Sequence, residues 1–203
     1  MSAAPETVPT GNTYDKYGSS NPVEQRMMAG FFSAFDACVA AAAPTRVLEV
    51  GAGEGLVARR MLSRYPDLAM TILDLPDPEL AANWADLAAA GVQGSVETLP
   101  FPDDSCDLVM AIEVMEHVPD PDLAIREIAR VSSSDVILSV PREPIWCMGN
   151  LARGRYLRHF GNTPGHIQHW SKRSFAQTVA RHLEVVSVLS PLPWTMVHAR
   201  VRR

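Results

Sequence analysis

The stretch that decides the fold is Arg46-Val47-Leu48-Glu49-Val50-Gly51-Ala52-Gly53-Glu54-Gly55. It predicts a short apolar strand that ends in a glycine-rich turn, followed by a helix from Leu56 to Ser63. Glycines at such a turn let the backbone approach a ligand closely, and the helix N-terminus adds exposed N–H donors. The pattern therefore predicts a nucleotide-like cofactor at this turn.

The spacing of the glycines narrows the choice of cofactor. The dinucleotide fingerprint is G-x-G-x-x-G, whereas here the third glycine comes one residue early and Glu49 stands two residues before the first. An acid at that position suits a cationic ammonium group better than a pyrophosphate. The run V-L-E-V-G-A-G-E-G closely resembles motif I of the class I S-adenosylmethionine-dependent methyltransferases. The resemblance implies that Gly51, Ala52 and Gly53 wrap the methionine part of the cofactor and that Glu49 helps to hold its ammonium group.

The second predicted strand ends in an acid, Asp74. A carboxylate at this position can accept hydrogen bonds from both ribose hydroxyls. Asp74 lies about twenty residues past the glycine turn, a spacing that both methyltransferases and dinucleotide-binding proteins require. Asp74 therefore supports an adenosine ligand without choosing between these families, and we expect Leu75 to flank the adenine.

Residues 94–107, G-S-V-E-T-L-P-F-P-D-D-S-C-D, resemble the methyltransferase stretch G-D-A-x-x-L-P-F-x-D-x-S-F-D. The family's aspartate, which commonly accepts a hydrogen bond from the adenine amino group, is replaced here by Ser95. A hydroxyl accepts more weakly than a carboxylate. The resemblance assigns Ser95 and its neighbour Val96 to the adenine end of the site.

Residues 111–120, A-I-E-V-M-E-H-V-P-D, are similar to the fourth-strand exit of the small-molecule methyltransferases called type 11. This similarity implies that backbone groups around Ile112 and Glu113 face the sulfonium. Two interpretations of His117 remain open, a catalytic role and the ordering of the loop before the helix that Pro121 begins, and the second is favoured. The matches together cover roughly residues 44–141.

Apolar strands alternate with helices along the chain. The expected strands are Arg46–Val50, Ala69–Leu73, Gly94–Glu97, Leu108–Ile112, Asp135–Val140, Leu183–Leu189 and Trp194–Val201. The expected helices are Leu56–Arg64, Pro78–Ala90, Asp122–Val131 and Ser171–His182, with Pro144–Gly165 expected to be irregular. This order predicts an α/β fold, Rossmann-like and doubly wound, with a mainly parallel sheet. The resemblance implies seven strands with an antiparallel terminal strand.

We expect a single methyltransferase domain over residues 1–203. Its parts are an N-terminal tail and cover helix (1–43), a cofactor-binding core (44–141), an acceptor-site segment (142–182) and terminal strands (183–203). Asn21 and Pro22 are typical of the cap and first position of the cover helix, which covers either its own domain or a neighbour's, so a homodimer stays open. Tyr14 and Tyr17 in the tail either fold over the cofactor or pack against the sheet edge.

The composition is that of a soluble globular protein, with 47% apolar and 20% charged residues. No apolar run approaches the length of a membrane span, and the N-terminus has no secretory pattern. The three cysteines are widely separated and fit neither a disulfide framework nor a zinc spacing. These observations predict a cytoplasmic protein that does not contact a membrane.

The net charge of −5 is unevenly distributed. Residues 1–143 carry a balance of −13, whereas residues 144–203 carry +8 with Glu184 as the one acid. The basic part is either a solvated face or an acceptor site for an anionic or sugar-like small molecule. Nucleic acid is disfavoured because the chain is acidic overall and its basic stretch lacks interleaved aromatic residues.

Methyl transfer from a sulfonium mainly requires that the nucleophile be aligned and water excluded. A base is an additional requirement where an oxygen or nitrogen nucleophile must first lose a proton. The candidates for such a base are His166, His169 and Glu143. A structured loop whose Ser171 caps the next helix is the alternative explanation for the two histidines. A metal site on His166 and His169 would need a third ligand, so we expect no metal.

The sequence therefore predicts methyl transfer from S-adenosyl-L-methionine to a small-molecule acceptor, with O-methylation of a polar or anionic metabolite favoured. Two alternatives stay open. A nicotinamide-dependent oxidoreductase shares the sheet plan, but the early third glycine and Glu49 argue against it. A non-catalytic S-adenosylmethionine-binding module would keep the cofactor site and lack transfer.

Overall fold

The computed structural model describes residues 21–202. Its strands are β1 (Arg46–Val50), β2 (Ala69–Asp74), β3 (Ala90–Gln93), β4 (Cys106–Ile112), β5 (Ser132–Pro141), β6 (Leu183–Leu189) and β7 (Trp194–Val201). Its α-helices are α1 (Pro22–Ala42), α2 (Leu56–Arg64), α3 (Pro78–Asn83), α4 (Pro121–Val131), α5 (Ile145–Ala152) and α6 (Lys172–His182). Short 3₁₀ turns cover Met115–His117 and Leu157–His159. Tyr14 and Tyr17 lie outside the described residues.

The seven strands form one sheet in the order β3-β2-β1-β4-β5-β7-β6. Strands β1 to β5 pair in parallel, whereas β7 runs antiparallel to both β5 and β6. The strand order reverses between β1 and β4, and ligands of open α/β sheets bind at the carboxyl ends of strands beside such a reversal. The predicted seven-stranded, mainly parallel sheet is confirmed.

The predicted positions of β3 and α3 are wrong. The strand is Ala90–Gln93, which pairs with residues 71–74 of β2, and not Gly94–Glu97. Helix α3 ends at Asn83 instead of continuing to Ala90. The cause is Trp84, which is 7% exposed and donates its indole N–H to the Gly53 carbonyl at 2.8 Å. This contact draws the chain towards the glycine turn, and residues 90–93 then reach the edge of the sheet beside β2.

The prediction of an irregular segment over Pro144–Gly165 is also wrong, because this segment contains α5 and a 3₁₀ turn. The Glu143 carboxylate accepts a hydrogen bond from the Cys147 N–H at 3.2 Å, at the start of α5. At the other end Asn150, which is buried, donates to the Gly161 carbonyl at 2.8 Å. These side-chain bonds satisfy polar groups that the local pattern of apolar residues does not reveal.

Apolar side chains cover both faces of the sheet. Along β4, Leu108 and Met110 belong to one buried cluster and Val109 and Ala111 to the other. Successive side chains of a strand point to opposite faces. Helices α1 and α2 cover the first face, and α4 and α6 cover the second.

Helix α1 covers the domain that carries it. The Asn21 side chain accepts a hydrogen bond from the Val23 N–H at 2.9 Å, as the predicted cap requires. Phe31 and Phe35 are buried, and the Phe31 ring meets Trp194 of β7 edge-on with a centroid distance of 5.1 Å. Although α1 has 21 residues, no helix within residues 21–202 is both long and apolar enough to cross a lipid bilayer.

We expect Phe35→Ala to lower the free energy of unfolding by about 3–5 kcal/mol, because it removes a fully buried ring and leaves a cavity under α1. Urea denaturation followed by circular dichroism measures the loss. Phe160→Ala is the matched control, since that ring is 85% exposed and its removal should change stability by less than about 0.5 kcal/mol. Equal small losses in both variants would contradict the packing of α1 on the sheet.

Candidate functional site

A cleft lies at the carboxyl ends of β1, β2 and β4. All the sequence-predicted cofactor residues within residues 21–202 line it, namely Glu49, Gly51, Ala52, Gly53, Asp74, Leu75, Ser95, Val96 and Glu113. Tyr17 lies outside the described residues. Residues from four separate stretches of sequence thus share one cavity.

The glycine turn bends sharply into this cleft. Gly51 and Gly53 have φ angles of 72° and 52°, in the left-handed region that glycine occupies without strain. The N–H groups of Gly51 and Ala52 donate to the Leu73 carbonyl at 2.8 and 3.1 Å. A Cβ on Gly51 would stand 2.3 Å from Cγ2 of Val114, so the turn is packed directly against the exit of β4.

Asp74 links the end of β2 to the same turn. Its Oδ2 accepts a hydrogen bond from the Gly53 N–H and its Oδ1 from the Leu75 N–H, both at 2.7 Å. Burial raises the pKa of Asp74, while these two hydrogen bonds lower it. Because each carboxylate oxygen has a second lone pair, the fixed carboxylate can still accept hydrogen bonds from two hydroxyls of a ligand.

Glu49 is a buried acid in the cleft wall, with 2% of its surface exposed. Burial, followed by the charge of Asp74, raises the pKa of Glu49 to about 8, although the Ala58 backbone N–H opposes the shift. Its Oε2 atom is buried and accepts no hydrogen bond from residues 21–202. A buried carboxylate oxygen of this kind is stabilised by a cation.

The adenine end predicted from the sequence is a tight turn. Ser95 Oγ accepts a hydrogen bond from the Glu97 N–H at 3.2 Å, and Ser95 forms an isolated bridge with Thr98. The Glu97 carboxylate in turn accepts from the Asp120 N–H at 3.1 Å. The Ser95 hydroxyl retains its proton for donation and a second lone pair, so it can contact a ligand from a fixed position.

Glu113 occupies a strained position at the exit of β4. Its φ of 60° lies in a region that non-glycine residues rarely adopt. The carboxylate accepts hydrogen bonds from the Trp194 indole N–H at 2.7 Å and from the Ser139 hydroxyl at 3.3 Å. These contacts with β5 and β7 hold the strand exit in place.

The structure separates the three candidates for a base. Glu143 and His169 form a pair in which Oε1 and Nδ1 are 3.9 Å apart, and neither residue lines the cleft. Glu143 also accepts from the Cys147 N–H and Sγ, both at 3.2 Å. Burial and this contact raise the pKa of the Cys147 thiol to about 11. His166 lies elsewhere, beside His117.

His117 connects the cleft to the loop before α6. It lines the cleft, and its Nδ1 is 2.8 Å from the Gly165 carbonyl oxygen. Its ring meets that of His166 edge-on with a centroid distance of 4.9 Å. His117 therefore orders the loop before α6. The sequence favours an ordering role at a different loop, the one before the helix that Pro121 begins. Glu116, the buried acid beside His117, is not among the residues predicted from the sequence. The feature that could have identified it is an acid directly before a histidine at the end of a strand.

The chain is similar to known methyltransferases. A family model described as "Methyltransferase domain" matches residues 48–140. A malonyl-[acyl-carrier protein] O-methyltransferase of Geobacter sulfurreducens is 32% identical over 129 residues, which cover 60% of this chain and 45% of the relative. The chain spans less than half the length of the first curated relatives that it matches.

Two solved structures have the same fold. The YcgJ protein of Bacillus subtilis superimposes with a TM-score of 0.59 and 25% identity, over 78% of this chain and 72% of that one. The magnesium protoporphyrin IX methyltransferase of Synechocystis was solved with bound S-adenosylhomocysteine. It gives a TM-score of 0.64 and 14% identity, over 91% of this chain and 90% of that one. Residues 48–140 therefore form a methyltransferase domain of the class I, S-adenosylmethionine-dependent family.

Proposed function

We propose that the chain transfers a methyl group from S-adenosyl-L-methionine to an oxygen atom of a small polar or anionic acceptor. The observation that carries this proposal is the buried Glu49 carboxylate, which lies in the same cleft as the glycine turn and Asp74. This arrangement offers one site for a cation and another for a pair of hydroxyls. S-adenosylmethionine presents both, with an ammonium group on its methionine part and a pair of hydroxyls on its ribose.

The residues of the cleft fit this cofactor. Glu49 would hold the ammonium group, since a cation satisfies its buried oxygen. Asp74 would accept from the ribose hydroxyls, and Ser95 and Val96 would flank the adenine. The bound cofactor supplies a methyl group on a positively charged sulfur. The protein binds and orients both reactants and excludes water from them.

A nicotinamide dinucleotide fits the cleft less well. Its pyrophosphate would lie at the glycine turn, next to the buried Glu49. This acid offers the pyrophosphate no positive charge, and ionising it beside the phosphates would be opposed strongly where water is excluded. A cofactor-binding module without transfer is the second candidate. It is favoured by one observation, namely that Glu143 and His169 do not line the cleft.

The acceptor would meet the segment that follows β5. Part of its basic charge is neutralised within the domain, because Arg153 pairs with Glu24 at 3.1 Å and Arg181 with Asp122 at 3.1 Å. Arg142 differs, since its Nε is buried and has no hydrogen-bond partner among residues 21–202. We infer that Arg142 binds the anionic group of the acceptor. One relative is named as an O-methyltransferase, which supports an oxygen acceptor.

Asp74→Ala should weaken the binding of S-adenosylhomocysteine by roughly 10- to 150-fold, the equivalent of about 1.5–3 kcal/mol for hydrogen bonds to a charged group. Calorimetric titration measures the affinity. Asp86→Ala is the control, because its side chain is 69% exposed and pairs with Arg59 outside the cleft. Absence of binding to the wild type, or a response to NADH instead, would contradict the proposed function. Turnover with a panel of acceptors separates an enzyme from a binding module.

Binding of S-adenosylhomocysteine at pH 7 should release close to one proton. The pKa of Glu49 is raised to about 8 in the free protein, so the group is mainly neutral at pH 7. A bound ammonium favours the carboxylate and returns its pKa towards the ordinary value. The release shrinks as the pH rises past about 8 and disappears in Glu49→Gln. Titrations in buffers of different ionisation enthalpy measure it, and a heat that does not depend on the buffer would contradict this role for Glu49.

Gly51→Ala should lower cofactor affinity at least about 10-fold, because its Cβ would stand 2.3 Å from Val114 Cγ2 and force the turn away from the strand exit. Adding Val114→Ala should restore affinity in part, leaving the roughly 1–2 kcal/mol cost of a left-handed alanine. Gly30→Ala is the control, since nothing lies within 4 Å of its Cβ position. If the double variant binds the cofactor no better than Gly51→Ala does, the close packing of residue 51 against Val114 does not explain the loss.

A further inference from the structure

A cluster of three ligating side chains lies beside the cofactor cleft. One carboxylate oxygen of Glu116 and one ring nitrogen each of His117 and His166 lie within 4.8 Å of one another. Glu116 and His117 belong to the 3₁₀ turn after β4, and His166 belongs to the loop before α6. The proposed binding of the cofactor by the glycine turn and Asp74 uses none of these three side chains.

The donor set is that of a divalent transition-metal site. Two imidazoles and one carboxylate bind Zn²⁺, Fe²⁺ and related ions, with coordination positions left open for a further ligand. Ligand atoms in a tetrahedral shell with bonds of about 2.1 Å are roughly 3.4 Å apart. The observed spacing of up to 4.8 Å therefore closes with side-chain shifts of about 1 Å. Glu116 is 1% exposed, so its carboxylate would act in a low dielectric, where its attraction for a cation is strong.

The hydrogen bond of His117 fixes its ring for metal binding. A carbonyl oxygen can only accept, so the contact of 2.8 Å with Gly165 places the proton on Nδ1. The other nitrogen, Nε2, then carries a lone pair, and we assign it to the ion in the proposal below. Metal-binding histidines have this arrangement, in which a backbone carbonyl orients the ring through the nitrogen that does not bind the ion.

Backbone contacts hold the two halves of the cluster together. The Glu116 carbonyl accepts hydrogen bonds from the N–H groups of Ile167 and Gln168 at 2.9 and 3.0 Å. The Gln168 side chain donates to the Val118 carbonyl at 3.2 Å. The His166 ring lies nearly parallel to that of Trp146, with an angle of 27° and a centroid distance of 6.1 Å. These contacts keep the two segments beside each other, so side-chain shifts alone can bring the three ligand atoms together around an ion.

We propose that Glu116, His117 and His166 bind a divalent transition-metal ion that orients the acceptor oxygen and lowers the pKa of its hydroxyl. The proposal rests on the proposed function. In it, the metal ion replaces a general base in activating the acceptor hydroxyl. An ion held by His117 borders the cleft, because this residue lines it. The sequence predicts no metal because His166 and His169 lack a third ligand, whereas the structure supplies Glu116 and His117 as partners of His166.

The transfer step then balances without a protein base. The acceptor hydroxyl loses its proton to solvent once the ion has lowered its pKa. A lone pair of that oxygen forms the new O–CH₃ bond as the S–CH₃ bond breaks, and the bonding electron pair stays on sulfur. The positive charge of the sulfonium is lost, and the product is a neutral thioether. Glu143 and His169, which do not line the cleft, need not take part.

The test uses Co²⁺ as a spectroscopic probe and Zn²⁺ in calorimetry, on the full chain after treatment with a chelator. The wild type should bind one ion per chain and give visible absorption from Co²⁺. Glu116→Gln and His166→Ala should each weaken binding by more than about 100-fold, since a direct ligand matters more than the outer-shell partners that cost roughly 10- to 100-fold. His159→Ala, which removes an exposed histidine from the neighbouring 3₁₀ turn, should bind as the wild type does.

S-adenosylhomocysteine affinity of the same variants separates this proposal from the proposed function. Glu116→Gln and His166→Ala should bind it within about threefold of the wild type, because neither residue lines the cleft. If folded wild type takes up no Co²⁺, or if uptake is unchanged in both variants, the metal site is overturned while the proposed function stands. If the wild type binds Co²⁺ but no S-adenosylhomocysteine, the proposed function is overturned, and with it the role given to the ion.

Discussion

The Leu73 carbonyl oxygen accepts hydrogen bonds from the N–H groups of both Gly51 and Ala52, and the rest of the site depends on this contact. It turns the chain sharply at the end of β1 and places the glycine turn between the ends of β2 and β4. Asp74, the next residue of β2, then fixes the turn from its other side through the Gly53 N–H. Close packing against Val114 leaves no room for a side chain at Gly51. The cleft is therefore a consequence of backbone geometry before any ligand enters it.

The titratable groups differ between the two sides of the cleft: carboxylates lie at the ends of β1 and β2, and histidines lie beyond the end of β4. Glu49 and Asp74 are carboxylates whose pKa values are raised by burial, and such groups favour a cation or a hydrogen-bond donor. Imidazoles dominate at the exit of β4, where His117 and His166 meet Glu116. The first set suits recognition of a cofactor and the second suits chemistry at an acceptor. Glu49, Asp74, Glu116 and His117 lie at or just after the ends of parallel strands, whereas His166 comes from the loop before α6.

Polar contacts hold the segment after β5 in place. Its helix α5 does not depend on a row of apolar side chains along one face. Arg153 ties α5 to α1 through Glu24, and Asn150 ties it to the following loop through the Gly161 carbonyl. The Glu143 carboxylate holds the first turn of α5. A helix stabilised in this way has little periodic signal, which explains why the local pattern predicts an irregular chain there. The basic charge of this segment serves partly to balance acids elsewhere in the domain.

The sequence by itself determined the strands that bear the glycine turn and Asp74, because apolar runs that end in glycine or an acid mark strand exits locally. It also determined the cofactor residues as a set, since parallel strands bring their carboxyl ends to one edge. Only the tertiary structure decided where β3 lies, through the contact of Trp84 with Gly53. It also decided that His166 meets Glu116 and His117, because backbone hydrogen bonds between distant segments set that distance. Contacts between residues far apart in the sequence produce no periodic pattern of apolar residues, so the sequence alone does not predict them.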